Sequence, residues 1–369
     1  MISFSHCLPF FRVTDLAKFE SDEKRGRLQS TIYFVRSLGM SVTALIISFG
    51  FSSPKYGGEF SFSFELYQYL IILCVVNAAG IPFYISLNER GGYKYKSYWK
   101  QFQTMYERLH LAGVYRIVIF SFSVHALAYV SNAAVYDIEK QWCHVEPYID
   151  GLFNNVLSSL MMAFGMWITK TYLLQVSWRK TLAFSITGLA LLTYIPQVII
   201  DLGIVRSQYF FGGSILASQA VLGIFFIVCS LAAVEVAEKG SEAAMYALLT
   251  TVGNLSVPFT SIASSQLAGF FDLYDDEGTL KDDTATRHEM LKLDTTILCI
   301  QLCALFTIFI LPNQKKELRR LIESGKSSKT VANIITVLLV LCMIWSLTGS
   351  LLQVIPSTSC LKIIGGKGC

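Results

Sequence analysis

Nine apolar segments dominate this sequence, and each is about as long as a helix that crosses a lipid bilayer. Their predicted bounds are 30–51, 66–87, 111–134, 152–169, 180–202, 210–236, 243–270, 292–312 and 331–354. Charged residues make up 15% of the chain, whereas a soluble protein needs about a quarter to cover its surface. The sequence therefore predicts an all-α membrane protein, a multi-pass helical bundle of about nine spans surrounded by the lipid bilayer.

Lysine and arginine are unevenly divided between the two sides of this predicted bundle. Most of those outside the spans precede the first span or lie in the loops after the second, fourth and eighth spans. Cytoplasmic loops retain positive charge, so segment 1–29, the linker 88–110 and the basic loop 313–330 are predicted to be cytoplasmic. The tail 355–369 then lies on the other side. That side also holds the acidic stretch "DLYDDEGTLKDDTATRHEM", which is interpreted as a solvated loop rather than an ion-binding site.

Several functional classes lack support in the sequence. It contains no GxSxG, Walker or HExxH motif, so neither an enzyme nor an ATP-driven pump is expected. The basic residues are dispersed among short loops, which argues against a nucleic-acid partner. The nine cysteines show no metal-ligand spacing, so no metal or other cofactor is expected, and a disulfide among Cys143, Cys360 and Cys369 is left open. A secondary carrier, a channel or a receptor remains.

A charged cluster interrupts the apolar pattern between the sixth and seventh spans. The stretch "AAVEVAEKGSEAAMYALLTTVGNLSVPF" places Glu235, Glu238, Lys239 and Glu242 there, although charge close to lipid is costly. One interpretation is an ordinary charged turn that ends one helix and begins the next. The other is a gating or coupling site, with Glu235 facing the bundle interior or an aqueous path. The sequence leaves both open.

Three prolines fall inside predicted spans, and the seventh span adds a polar side chain. Pro258 cannot donate to the carbonyl of Asn254, and Pro82 and Pro196 free one carbonyl each in the same way. Helices with freed carbonyls and polar side chains line transport cavities in many carriers. The seventh span is also rich in small residues, so a close-packing seam with a tolerated proline is the alternative to a cavity wall lined by Asn254.

The third span contributes two ionisable candidates. His125 lies near its middle and could carry a proton, although a neutral, hydrogen-bonded packing histidine is the more ordinary interpretation. Arg116 lies about one turn inside the same span. It either extends to the cytoplasmic headgroups or, if it faces inward, provides the cation for an anionic substrate.

The charged stretch and the span that follows it resemble the signature region of the folate–biopterin transporter family, a branch of the major facilitator superfamily. The matching residues are Glu235, Gly240, Glu242, Ala243, Tyr246, Leu249 and Asn254. Softer matches are "SWRKTLAF", "VRSQYFFGGSILASQ", "LPNQKKELRRLIESGKSS" and "CLKIIGGKGC". The resemblance extends from Lys96 to Cys369.

The resemblance implies a division of the chain into parts. Carriers of this superfamily have twelve helices in two halves of six, joined by a long cytoplasmic loop. Residues 111–312 then correspond to a complete C-terminal six-helix half, and 88–110 corresponds to the linker. Residues 30–87 correspond to the last two helices of the N-terminal half, with the first four helices lacking, and 331–354 is an extra helix.

The resemblance also implies a function, namely secondary active, proton-coupled uptake of folate- or biopterin-type organic anions, with the plasma membrane favoured over an organelle. In that interpretation Glu235 and Glu242 are candidates for coupling or gating. Asn254 lines the cavity, and Arg116 is the counter-ion of the substrate. The alternative is a non-transporting, truncated carrier that acts as a membrane scaffold or regulatory subunit and can self-associate.

Overall fold

The computed structural model describes residues 27–86, 97–236, 242–275 and 279–366, and within these ranges it contains helices and no β-strand. The main helices are α1 (Arg27–Gly50), α2 (Leu66–Ser86), α3 (Tyr98–Leu109), α4 (Ala112–Ala128), α5 (Pro147–Leu173), α6 (Trp178–Asp201), α7 (Gln208–Val236), α8 (Glu242–Ala268), α9 (Thr284–Thr307), α10 (Lys315–Glu323) and α11 (Lys329–Val354). Helix α5 widens to π-helical turns over Gly151–Leu157 and Thr169–Leu173.

Each of the nine predicted spans coincides with one of these helices. Seven helices are long and apolar enough to cross a membrane, namely α1, α2, α5, α6, α7, α9 and α11. Helix α4 is apolar but has only 17 residues. The predicted class is therefore confirmed: this is an all-α, multi-pass membrane protein. The count of nine spans stays a prediction.

Two helices occupy regions that the sequence assigns to loops. Helix α3 lies in the predicted linker and α10 lies in the predicted basic loop. Both are amphipathic: in α10, Leu318 is buried, whereas Lys316 and Arg320 are exposed. A search for long apolar runs does not find such helices, because only one face of each is apolar.

Hydrogen bonds from side chains explain two helix boundaries that differ from the predicted ones. Helix α9 begins at Thr284 rather than residue 292, because the Asp283 carboxylate accepts a hydrogen bond from the Thr286 amide at 2.6 Å. Helix α4 ends at Ala128, well short of residue 134. Beyond it, the side chain of Asn132 accepts from the Ala134 amide at 2.8 Å and holds the chain in a turn.

The loops rich in lysine and arginine meet at one end of the bundle. The Ala112 amide donates to the Lys326 carbonyl at 2.8 Å, and the Trp178 amide donates to the Asn313 carbonyl at 3.0 Å. We call this the basic end, and it contains Arg108, Arg179, Lys315, Arg319 and Lys326. The opposite, acidic end contains the helical segment Val135–Trp142 and the loop between α8 and α9.

Two apolar clusters fill the bundle between these ends. The larger cluster surrounds α4 and α7, with Phe120, Phe225, Leu182 and Met245 among its buried members. The smaller cluster lies at the acidic end and includes Ile138, Ile200, Leu273, Met290 and Leu293. A polar group buried among these apolar side chains has no access to water, so it depends on the protein for a hydrogen-bond partner.

Helices α5 and α7 approach each other closely because glycines face the contact. A Cβ on Gly223 would lie 2.3 Å from the Met162 carbonyl oxygen, and a Cβ on Gly165 would lie 1.9 Å from the Ala220 carbonyl oxygen. Both neighbours are backbone atoms, which cannot rotate away. Small residues allow this approach in lipid, where packing rather than the hydrophobic effect holds helices together.

Helix α2 differs from the others in its packing. None of the residues in its apolar stretch Leu66–Phe83 is buried, and it makes no extensive contact with another helix of the described chain.

The three prolines lie inside continuous helices as predicted, with Pro82 in α2, Pro196 in α6 and Pro258 in α8.

Among the described residues, six cysteines are free thiols and Cys360 belongs to a disulfide. Cys360 is disulfide-bonded, which is typical of an oxidising, non-cytoplasmic compartment. Cys143 is a buried free thiol, so of the disulfides left open by the sequence, those involving Cys143 do not form.

The contact between α5 and α7 predicts a difference between two glycines of the same helix. Gly223→Ala should lower the free energy of unfolding by about 2 kcal/mol, because its methyl group meets backbone. Gly213→Ala should be neutral or slightly stabilising, since nothing lies within 4 Å of its Cβ position. Thermal unfolding of both purified variants in detergent measures the difference, and equal effects would contradict the close packing.

Candidate functional site

A carboxylate–guanidinium pair lies at the basic end of the bundle. Glu235, at the end of α7, accepts hydrogen bonds from Arg319 of α10, with Nε to Oε2 at 3.0 Å and Nη2 to Oε1 at 3.3 Å. The Glu235 side chain is 6% exposed and that of Arg319 is 29% exposed. A two-point contact of this kind is strong and directional, and it fixes α10 against α7.

Two further contacts bring α1 to the same end. The hydroxyls of Tyr33 in α1 and Tyr246 in α8 share a hydrogen bond, and Gln29 donates to the Ser230 carbonyl of α7 at 3.3 Å. The Tyr33 ring packs edge-on against Phe226 at 4.8 Å between centroids. The basic end is thus closed by polar contacts that join α1, α7, α8 and α10.

The other members of the predicted charged cluster are only partly described. Glu238 and Lys239 lie outside the described residues, as does Gly240. Glu242 is the first described residue of α8, but its side chain lies outside the description. The gating interpretation therefore rests on Glu235 and its pair with Arg319.

His125 is held as a packing residue between α4, α7 and α8. Its Nδ1 bonds to the Ser121 carbonyl at 2.6 Å, and its ring lies edge-on to Phe225 and Tyr129. A Cβ placed on Gly253 would lie 4.0 Å from the His125 ring, so this glycine of α8 leaves room for the imidazole. This geometry agrees with the interpretation of His125 as a hydrogen-bonded packing histidine.

Asn254 lies on an exposed face of α8 that differs from the lipid-facing surfaces of the bundle. The exposed positions along this face are Ala247, Thr251, Asn254, Val257 and Ser261. By contrast, the exposed residues along α11 include Ile334, Val337, Leu338, Leu341, Ile344 and Leu347. A polar face on a helix of a membrane protein is typical of a wall that meets water or substrate.

Arg116 is exposed on α4 and makes no ion pair with a described carboxylate. It therefore does not point into the core of the described bundle. Its charge remains available either to headgroups or to an anion at the bundle surface.

The acidic end holds a second pair of charged residues, and both are carboxyls. Asp201 ends α6 and is 0% exposed, and Asp294 lies inside α9 and is 5% exposed. The two carboxyls are within hydrogen-bond reach of each other. Gln197 donates to Oδ1 of Asp201 at 3.1 Å, and Asn132 donates to Oδ1 of Asp294 at 2.8 Å.

Arg206 organises the surface above this carboxyl pair. Its Nε donates to the Ile200 carbonyl at 3.0 Å, and its Nη1 contacts the Asp282 carboxylate at 2.6 Å. Its guanidinium lies over the Trp142 ring, 4.2 Å from the centroid. Asp282 also accepts from Arg287 at 2.9 Å. The acidic stretch of the sequence is therefore tied to the bundle by a network of ion pairs.

An apolar groove of about 670 Å³ lies on the outside of the bundle, between α6 and α9. Its lining includes Ala183, Leu302, Phe306 and Phe309, with Arg179 at its edge. None of the predicted site residues lines it. The candidate site is the polar basic end with the neighbouring face of α8, rather than this groove.

Sequence reasoning missed Arg319, Asp201 and Asp294. Arg319 stands in a run of basic residues in which no member is singled out by spacing. Asp201 lies at the boundary of a predicted span. Asp294 lies two residues inside one, and this intramembrane carboxyl is the signal that could have been used.

The fold and these two polar clusters define a multi-pass helical membrane protein with charge buried at each end. No protein-family description, no curated protein and no solved structure matches the chain. The resemblance to the folate–biopterin transporter family therefore rests on the quoted residues alone.

The ion pair at the basic end predicts that two neighbouring arginines differ. Arg319→Ala should lower the free energy of unfolding by about 2 kcal/mol, because it leaves the Glu235 carboxylate buried without that partner. Arg320→Ala on the same helix removes an exposed charge and should change stability by less than about 0.5 kcal/mol. Thermal unfolding in detergent separates these outcomes, and similar losses would contradict a specific pair.

The acidic end predicts a dependence of stability on pH. Hydrogen bonds from Arg206 and Arg287 lower the pKa of Asp282, and the bond from the Thr286 amide lowers the pKa of Asp283. A carboxyl whose pKa is lower in the folded state stabilises the fold fully above its unfolded pKa of about 3.9. That contribution is lost as the pH falls through the folded pKa.

The unfolding temperature should therefore fall below about pH 4, and Asp282→Asn should weaken this dependence. Asp272→Asn is the control, because that carboxylate is 80% exposed. Melting curves between about pH 3 and pH 7 test the prediction, and an unchanged pH dependence in Asp282→Asn would overturn it.

Proposed function

We propose that this protein is a proton-coupled secondary carrier of folate- or biopterin-type organic anions in the plasma membrane. Its basic end then lies on the cytoplasmic side. The observation that carries the proposal is the pair between the buried Glu235 and the partly exposed Arg319, which closes the basic end beside the polar face of α8. An ion pair between two helices can break and re-form as a path to the membrane interior opens and closes.

The polar face of α8 supplies the second part of the argument. Thr251, Asn254 and Ser261 offer hydrogen-bonding groups on a face whose other exposed residues are Ala247 and Val257. Flat heteroaromatic rings such as pterins carry several donors and acceptors, which such a face can satisfy. Arg116, exposed on the neighbouring helix α4, matches the carboxylates of a folate.

Gating follows from the placement of α10. Arg319 reaches Glu235 from a short amphipathic helix that also packs against α4. Loss of the ion pair would release α10 from α7 and open the basic end towards the face of α8. Glu235 then acts as a gate residue, and Asn254 and Arg116 act as substrate-binding residues.

Uptake of radiolabelled folate and biopterin tests this proposal in cells that express the chain, at an external pH of about 5.5 and about 7.5. We expect saturable uptake that is faster at the lower pH. Glu235→Gln and Arg319→Gln should each reduce uptake about tenfold or more, because closure of the gate is part of every cycle. Arg320→Gln is the matched control and should transport like the wild type.

Two results would contradict the proposal. Absence of uptake at both pH values, with the protein present at the cell surface, would favour the non-transporting scaffold. Normal uptake by both Glu235→Gln and Arg319→Gln would remove the ion pair from the transport cycle.

A further inference from the structure

The two buried aspartates at the acidic end present an unsatisfied arrangement. In each aspartate one oxygen accepts a hydrogen bond: Oδ1 of Asp201 accepts from Gln197, and Oδ1 of Asp294 accepts from Asn132. The Oδ2 atoms of both aspartates are buried and have no hydrogen-bond donor among the described residues. The two carboxyls are within hydrogen-bond reach of each other. An ionised carboxylate only accepts hydrogen bonds, so the two cannot bond to each other while both are ionised.

One proton resolves this arrangement. A protonated carboxyl donates one hydrogen bond, so a proton on either aspartate turns a contact between two acceptors into a hydrogen bond between the two side chains. Two ionised carboxylates this close in a buried site repel each other, and such pairs hold a proton between them. The combined charge of the pair then falls from two negative charges to one.

The surroundings favour a proton over a metal or sodium ion. The side-chain amides of Gln197 and Asn132 turn their N–H groups towards the carboxyls, so they offer donors where a cation needs oxygen ligands. The orientation of Asn132 is fixed, because its Oδ1 accepts from the Ala134 amide. The described residues contain no group of three or more His, Cys, Asp or Glu suited to a metal ion.

The charged and titratable groups near the pair lie in the loop after α6 and in the helical segment that precedes Cys143. Arg206, in the loop after α6, exerts its charge on Asp201, yet its Nη2 is buried and has no acceptor in the described structure. Cys143 lies close enough to feel the charge of both Asp201 and Glu139. Arg206 is therefore the cation that can compensate the pair when its proton leaves.

We propose that Asp201 and Asp294 form a proton-binding site that holds one shared proton and delivers the coupled proton of the carrier cycle. The coupling role rests on the function proposed above, whereas the binding of the shared proton does not. The site lies at the opposite end of the bundle from the Glu235–Arg319 gate, so proton binding and gate opening occupy separate places in the protein.

Infrared spectroscopy of the purified full-length chain in phosphatidylcholine vesicles tests proton binding directly. At neutral pH the wild type should show the carbonyl stretch of a buried, protonated carboxyl group, and labelling aspartate with 13C at its side-chain carboxyl should shift that band. Asp201→Asn and Asp294→Asn should each remove it, because sharing needs both carboxyls. Asp282→Asn, at the exposed surface, should leave it in place.

The proposal is overturned if no such band is present, if the band ignores the aspartate label and so belongs to a glutamate, or if it survives in either single variant. It is also overturned if sodium ions at constant pH remove the band from the wild type, because the site would then bind a cation. The isotope experiment needs no substitution, so a missing band or a band that ignores the label overturns the proposal even where a variant does not fold.

The coupling role is tested with the same vesicles and a pH gradient. Asp294→Asn should lose accumulation of folate or biopterin driven by the gradient, while it retains exchange of labelled for unlabelled substrate at equal pH. Retained gradient-driven accumulation in Asp294→Asn would overturn the coupling role. If the wild type moves no substrate at all, the proposed function and the coupling role fail together, and the infrared result still decides proton binding.

Discussion

Charge inside an apolar bundle must be compensated within the protein, and this requirement shapes both ends of the structure. Glu235 meets it with Arg319, a cation supplied by a helix far along the chain. Asp201 and Asp294 meet it without an ion pair of their own, through two amides and each other. The two solutions differ in kind: one end holds an ion pair between two helices, and the other holds two carboxyls that each accept a hydrogen bond from an amide.

The packing of the helices sets what can move around these charges. The glycine-lined contact between α5 and α7 brings backbone against backbone and leaves little freedom. Helix α10, by contrast, has nine residues and is joined to α7 by the ion pair between Arg319 and Glu235. Motion at the basic end is therefore expected in α10, whereas α5 and α7 move as a unit.

Much of the fold follows from the sequence because apolar length and proline position are local properties. The runs that predict the spans coincide with helices, and Pro82, Pro196 and Pro258 lie inside helices as expected. The partner of Glu235 lies 84 residues away, and no local pattern encodes such a pairing. The cap at Asp283 is visible in the sequence and would have placed the start of α9 correctly. The meeting of Asp201 and Asp294 depends on how α6 and α9 pack, which periodicity does not reveal.

In the proposed function, the Glu235–Arg319 pair holds the basic end closed. Hydrogen–deuterium exchange of the purified protein, followed by mass spectrometry, measures this most directly in α10 and the adjoining end of α7. We expect faster amide exchange over Lys315–Glu323 in Glu235→Gln than in the wild type, with the acidic end unchanged. Equal exchange over Lys315–Glu323 in the two proteins would contradict it.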